Sequence, residues 1–182
     1  MADTPTIYEW AGGREAFARW LDALYDLVED DEELAALFGG VVSEEHRRHV
    51  TAWWCEVMGG PADYTDHHGG YEHMLSKHRG LAITAEQRLT FVTLLSHAAD
   101  LVGLPADPEF RAALMGYAEW GTRLAVENSQ PDAQPVRGYF RVADRQLPAL
   151  DLLAAVGRVV QVGVAVQFVG VHVAGRARVH GA

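Results

Sequence analysis

The run "REAFARWLDALYDLVEDD", residues 14–31, constrains the fold of this chain most. Phe17, Trp20, Leu21, Leu24, Tyr25 and Val28 recur in it at steps of three and four. That spacing puts them on one face of an α-helix and leaves the charged residues on the other. An apolar stripe this wide must be covered by further packed elements. The stretches that follow supply helices. "EELAALFGG" reads as a further turn or two ended by Gly39 and Gly40. Ser43, followed by Glu44, Glu45 and His46, opens a helix through "HRRHVTAWWCEVM", which stops at "GGP".

"ADYTDHHGG" reads as a polar, glycine-rich link. "YEHMLSKH" is a helix too short to be stable alone, so packing or a ligand must hold it. Thr84 and Gln87 form a capping box for "AEQRLTFVTLLSHAADLVG". Asp107 caps the last helix, with Pro108 in its first turn, and that helix runs to "AVENS". The expected fold is therefore all-α, with five main helices in residues 1–128. "QPDAQPV" then reads as a linker. The C-terminal run "RVVQVGVAVQFVGVHVAGRARVHGA" alternates valine with small or polar residues, a strand-like pattern. Residues 1–129 are expected to form one domain. Residues 130–182 are expected to be a linker and tail that is disordered or weakly structured, or the product of a shifted reading frame.

Charge and cysteine content narrow the partners. The chain carries a net charge of −10, which argues against nucleic acid and anionic membranes. Residues 137–182 hold six arginines and two aspartates, without lysine or glutamate, so the charge of residues 1–136 is −14. No run approaches the roughly 18 apolar residues that span a bilayer. "MADTPTIYEW" lacks the basic start and apolar core of a signal peptide. The single cysteine, Cys55, can form no internal disulfide. The expectation is a soluble cytoplasmic protein, monomeric or homodimeric.

The residues that can carry chemistry cluster around "GGYEHMLSKHRGLAIT", residues 69–84, which holds His78 and the only lysine of the chain, Lys77. His46 and His49 share a helix face, but no HExxH pattern or plausible further ligand accompanies them, which argues against zinc. His67, His68 and His97 read as surface or loop residues. No GxSxG nucleophile setting occurs. Taken singly, Tyr25 fits a core tyrosine, and His78 fits a cation favoured at a helix C-terminus. Taken together, an aromatic-lined helical core, one histidine ending a short helix, and an inward tyrosine and histidine suit a flat apolar macrocycle held through one imidazole.

The pieces "YEWAGG", "ALYDLVEDDEELAALF", "GGPADY", "KHRGLAIT" and "AVENS", in this order, resemble a group II truncated haemoglobin, a globin with a two-over-two helical sandwich. The resemblance covers residues 6–129. It implies haem b bound through His78 as the proximal iron ligand, with the other ring nitrogen donating to a carbonyl one turn back. It implies that Lys77, Arg79 and Tyr64 meet the haem propionates. Tyr25 matches the distal tyrosine whose hydroxyl reaches a bound diatomic ligand, and Phe38 the aromatic against the porphyrin face. His46 and Val50 match the gate position and the apolar residue one turn on. Met74, Ile83 and Phe91 fall among the residues around the cofactor.

Two positions depart from the pattern. Phe91 stands where a tryptophan donor is usual, and His46 where a small residue is common, so His46 would replace some of the lost polarity. His46 could also bind the iron itself when no ligand is present. Trp53 and Trp54 are adjacent and point about 100° apart on a helix, so core packing is expected of both. Met115 and Trp120 are expected as pocket wall and core.

The resemblance implies reversible binding of O2 and other diatomic ligands. The alternative is an enzyme that consumes bound O2 or peroxide, as in nitric oxide dioxygenation or peroxidase-type oxidation. It would need a reductase partner, since the chain has no flavin or nicotinamide fingerprint. A third possibility is a helical interaction module without cofactor.

Overall fold

The computed structural model describes residues 5–133, and the expectations for the tail lie outside them. Eight helices occur among the described residues: α1 (Ile7–Ala11), α2 (Arg14–Glu29), α3 (Glu32–Leu37), α4 (Glu44–Val57), α5 (Asp63–His68), α6 (Gly70–His78), α7 (Ala85–Leu101) and α8 (Pro108–Ser129). No strand occurs among them. The all-α expectation holds.

The stripe on α2 does what its spacing requires. Phe17, Trp20, Leu21, Leu24, Tyr25 and Val28 are all buried, and α2 packs chiefly on α7 and α4. The indole Nε1–H of Trp20 donates to the carbonyl of Leu95 at 2.9 Å, tying α2 to α7. α7 in turn packs on α8. The pair α2 and α4 thus lies over the pair α7 and α8, the two-over-two arrangement. Trp20 stands edge-on to Phe17 and Trp54, at 5.6 and 5.1 Å between ring centroids, and Trp54 meets Tyr117 at 5.5 Å. Trp54 is accordingly core, as expected, while Trp53 is only half-buried.

Helix ends follow the capping chemistry. Ser43 Oγ accepts from the amide of His46. Thr84 and Gln87 close a reciprocal capping box at α7. Thr84→Ala is expected to cost about 1 kcal/mol of stability, read as a lower denaturant midpoint with an unchanged slope. Asp107 occupies the N-cap position of α8, yet its side chain makes no capping bond.

Two helices depart from the sequence expectation. α1 has its own capping box between Thr6 and Glu9, and the amide of Tyr8 donates to Met58 O at 2.9 Å. This crossing explains the glycine pair before Pro61. A Cβ on Gly60 would sit 2.7 Å from Cys55 O and 2.8 Å from the Tyr8 ring, closer than packed atoms allow. α5 occupies the stretch expected to be a link. Its start is tied down by the Arg14–Asp63 ion pair, and Glu56 accepts from both the amide and the hydroxyl of Thr65. Gly69, in the left-handed region at φ +79°, then ends α5 and starts α6. Among the described residues no helix is long and apolar enough to cross a membrane.

Candidate functional site

α6 is nine residues long and leans on α5 and α8. It ends at His78, whose Nδ1 lies 2.9 Å from Met74 O. A backbone carbonyl only accepts, so Nδ1 carries the ring proton. The lone pair is therefore on Nε2, and no hydrogen-bond partner meets that atom among the described residues. This is the tautomer a metal-binding imidazole needs, fixed by a hydrogen bond from its far side. His78 is half-buried, as are Met74 and Ile83 nearby in the chain; Lys77 and Arg79 beside it are exposed. Neither cation forms an ion pair among the described residues.

Tyr25 on α2 and His46 in the first turn of α4 form a second group. The Tyr25 hydroxyl lies 3.0 Å from His46 Nε2. Phe38, just after α3, stands edge-on to both rings, at 5.7 Å from Tyr25 and 5.3 Å from His46. Burial pushes the Tyr25 phenol well above its ordinary range, against the pull of the Arg47 charge. The hydroxyl thus stays a neutral donor at any physiological pH.

His46 is pushed down to about 4, first by burial and then by the positive charges of His78, His49, Lys77 and Arg47. The influence of His78 and Lys77 puts the α4 imidazole within electrostatic reach of the end of α6. A pH dependence follows. The folded value lies below the ordinary 6.5, so near neutrality neither the folded nor the unfolded chain is protonated here. As pH falls through that range the unfolded chain takes up a proton first, and the folded state loses stability until about 4. The haem-free chain is expected to weaken across this window, and His46→Gln to flatten part of the slope, in denaturant melts at stepped pH. His49 is shifted in the same direction, by burial and then by the His68 charge.

Large apolar side chains complete the setting. Phe38, Val50, Trp53, Phe91, Leu94 and Met115 pack against the core, yet each is only half-buried. Tyr64 is buried, with its ring edge-on to Trp53 at 5.2 Å. Half-covered aromatic and aliphatic groups, a prepared imidazole from one side and a tyrosine–histidine pair from another fit a flat apolar group with a ligand-binding metal. A wide open groove between α2, α4 and α5 is a separate feature. It is lined by mixed charges including Arg14, Asp22, Arg48 and His67, and it includes none of Tyr25, His46 and His78.

Two features went unrecognised in the sequence. Arg47 is a clamp beside His46: it donates to Asp22 O at 2.8 Å, Asp26 Oδ1 at 2.9 Å and Glu29 Oε1 at 3.1 Å. Its guanidinium also lies 5.7 Å from the Tyr25 ring centroid. Asp22, Asp26 and Glu29 are four and three residues apart, an acidic row along α2 that could have pointed to a buried cation opposite. The second concerns His68, expected on the surface. It is half-buried, with its ring 4.1 Å from that of His49 and 5.6 Å from Tyr64, because α5 is a helix packed on α4 and not a loose link. His67 and His97 are exposed, as expected.

Comparison with known proteins agrees with this fold. Residues 6–117 match the bacterial-like globin family. A group 1 truncated haemoglobin GlbN of Nostoc sp. (strain MUN 8820) is 28% identical over 109 residues, 60% of this chain and 87% of that protein. The truncated oxygen-avid haemoglobin of Bacillus subtilis is 27% identical, with a TM-score of 0.60 over 67% of this chain and 99% of its own. The group II truncated haemoglobin of Bacillus anthracis superposes with a TM-score of 0.61 over 68% of this chain and 92% of its own; at 20% identity it speaks for the fold alone. The expected likeness to truncated haemoglobins is borne out. With an imidazole and an aromatic–histidine pair set in a two-over-two frame, the chain belongs to the bacterial-like globin family and, as a globin, binds haem.

Proposed function

We propose that the chain holds haem b through His78 Nε2 and reversibly binds O2 and other diatomic ligands beside Tyr25 and His46. The observation that supports this is the His78 Nδ1–Met74 O bond at 2.9 Å, which leaves the lone pair of the other nitrogen free for a metal. Held there by His78, haem would supply an iron able to take a diatomic ligand. The short α6 presents His78, and ligation contributes stability that nine residues alone do not provide. Lys77 and Arg79, exposed next to His78, suit the propionates, with Tyr64 as a further partner. Val50 and Phe38 give the distal side an apolar wall. Residues 1–129 act as the haem-carrying domain.

The distal pair decides how the ligand is held. Near neutral pH His46 is uncharged, so the hydrogen bond between its Nε2 and the Tyr25 oxygen can run in either direction, set by the imidazole tautomer. If His46 Nε2–H donates to Tyr25 Oη, the phenol O–H is left to point at a ligand. If Tyr25 donates to Nε2, that donor is spent. A ligand bearing partial negative charge favours the first arrangement, because it gains the hydrogen bond. Phe91 offers no donor, so Tyr25 carries the main polar contact, with His46 orienting it. His46 is also a candidate ligand for the iron in the absence of a diatomic partner. A phenol donor held in place by His46 slows release, which favours a role in retaining or reacting the ligand, with a reductase as partner, over rapid delivery. The test is a hemin titration followed by stopped-flow release of O2. Uptake of one equivalent with a Soret band and slow release supports the proposal. A folded chain that takes up no hemin overturns it.

A further inference from the structure

The end of α8 grips the segment that follows His78. The amide of Ala82 donates to Ser129 O at 2.9 Å, and the amide of Ile83 donates to Ser129 Oγ at 2.9 Å. Gln130 Nε2 donates to Ile83 O at 3.2 Å. The Ser129 hydroxyl gives its own proton to Val126 O at 2.8 Å, so its lone pairs face Ile83. Ser129 is 0% exposed and Asn128 is also buried, a polar pair in the interior at the last turn of a helix. Ala82 is held at φ +50°, the one non-glycine residue with positive φ among the described residues. An L-residue keeps that conformation only where its surroundings enforce it. Between the grip and His78 lies a single turn, closed by the amide of Leu81 on His78 O at 3.2 Å.

Capping α8 accounts for part of this, since Ser129 Oγ and Gln130 Nε2 both donate to Val126 O and Ala82 donates to Ser129 O, but it does not require Ser129 Oγ to accept from Ile83. Here Ser129 uses both its carbonyl and its side chain on two consecutive amides of another segment. We propose that Ser129 is a positioning residue for the proximal imidazole. By pinning residues 82 and 83 it fixes the turn that ends α6, and with it the height and angle at which His78 Nε2 meets the metal. This rests on the reading of His78 as the haem ligand. "AVENS", read in the sequence as the end of the last helix and one of the pieces of the family resemblance, thereby gains a role: it ties the far end of α8 to the metal site.

The test compares Ser129→Ala, Ser129→Thr and Gln130→Ala in the full chain. In the haem-free protein, exchange of the Ile83 amide is expected to quicken about tenfold in Ser129→Ala, the factor one hydrogen bond supplies. In the haem-loaded protein, the iron–imidazole vibration of the ferrous form is expected to shift or broaden, and haem loss to a scavenger to quicken about three- to tenfold. Ser129→Thr keeps the hydroxyl and is expected to restore both. Should Ser129→Ala not fold, exposed Gln130→Ala carries the test, with a smaller change in the same direction. A parental vibration and haem-loss rate in a folded Ser129→Ala or Gln130→Ala, or parental Ile83 exchange in Ser129→Ala, overturns the proposal. Absence of the vibration from the unaltered chain instead overturns the reading of His78 itself.

Discussion

His78→Ala is expected to abolish stoichiometric haem uptake, lowering affinity by more than about 100-fold. The floor is set by what lesser changes do: losing a group that merely orients a ligand costs about 10–100-fold, and here the ligand itself goes. The effect is large because no other group stands ready at the end of α6. Lys77 is a cation, and Met74 lends its carbonyl to the His78 ring. His46 is held by Tyr25. Adding imidazole to His78→Gly should return the Soret absorption, since the deletion leaves space for a free ring. A His78→Ala variant that binds hemin with the parental spectrum would remove His78 from the site, whatever the fold.

The second large effect is expected at Tyr25. Tyr25→Phe removes a buried donor that, on the proposed reading, meets a ligand of partial negative charge. Hydrogen bonds to charged groups contribute about 1.5–3 kcal/mol, so release of O2 should quicken about 10- to 100-fold. His46→Leu should do less, because it leaves the phenol in place and removes only its orienting partner. The two changes should not add. With the rings 5.2 Å apart and bonded at 3.0 Å, the double variant should fall well short of the product of the single effects. Stopped-flow displacement of O2 by carbon monoxide reads all three. Unchanged release in Tyr25→Phe would assign the distal contact elsewhere.

What the sequence disclosed follows from the range of the physics involved. The α2 stripe, the Ser43 cap and the Thr84–Gln87 box are local, and all appear as read. The bond from His78 to a carbonyl one turn back is also local, since residues four apart on a helix face each other. α1 was missed although Thr6 and Glu9 hold its capping box, because five residues make no periodicity. α5 was missed because "DYTDHH" is polar and lacks an apolar face. It is held by partners that lie elsewhere in the chain: Trp53 and His49, on which Tyr64 and His68 pack, and Glu56 and Arg14. The meeting of Tyr25 with His46, 21 positions apart, was legible only through likeness to a family. The His49–His68 ring contact and the grip of Ser129 on Ile83 depend on how helices are placed in space. No local pattern encodes that placement.

The central claim is a bond between the His78 imidazole and a haem iron. It is tested most directly by resonance Raman spectroscopy of the ferrous, ligand-free protein, loaded with hemin, reduced, and made with natural and with ¹⁵N-labelled histidine. The account predicts a low-frequency iron–imidazole band that moves with the label and is lost in His78→Ala. A band that survives that substitution, or the lack of any label-sensitive band in the unaltered chain, would contradict it.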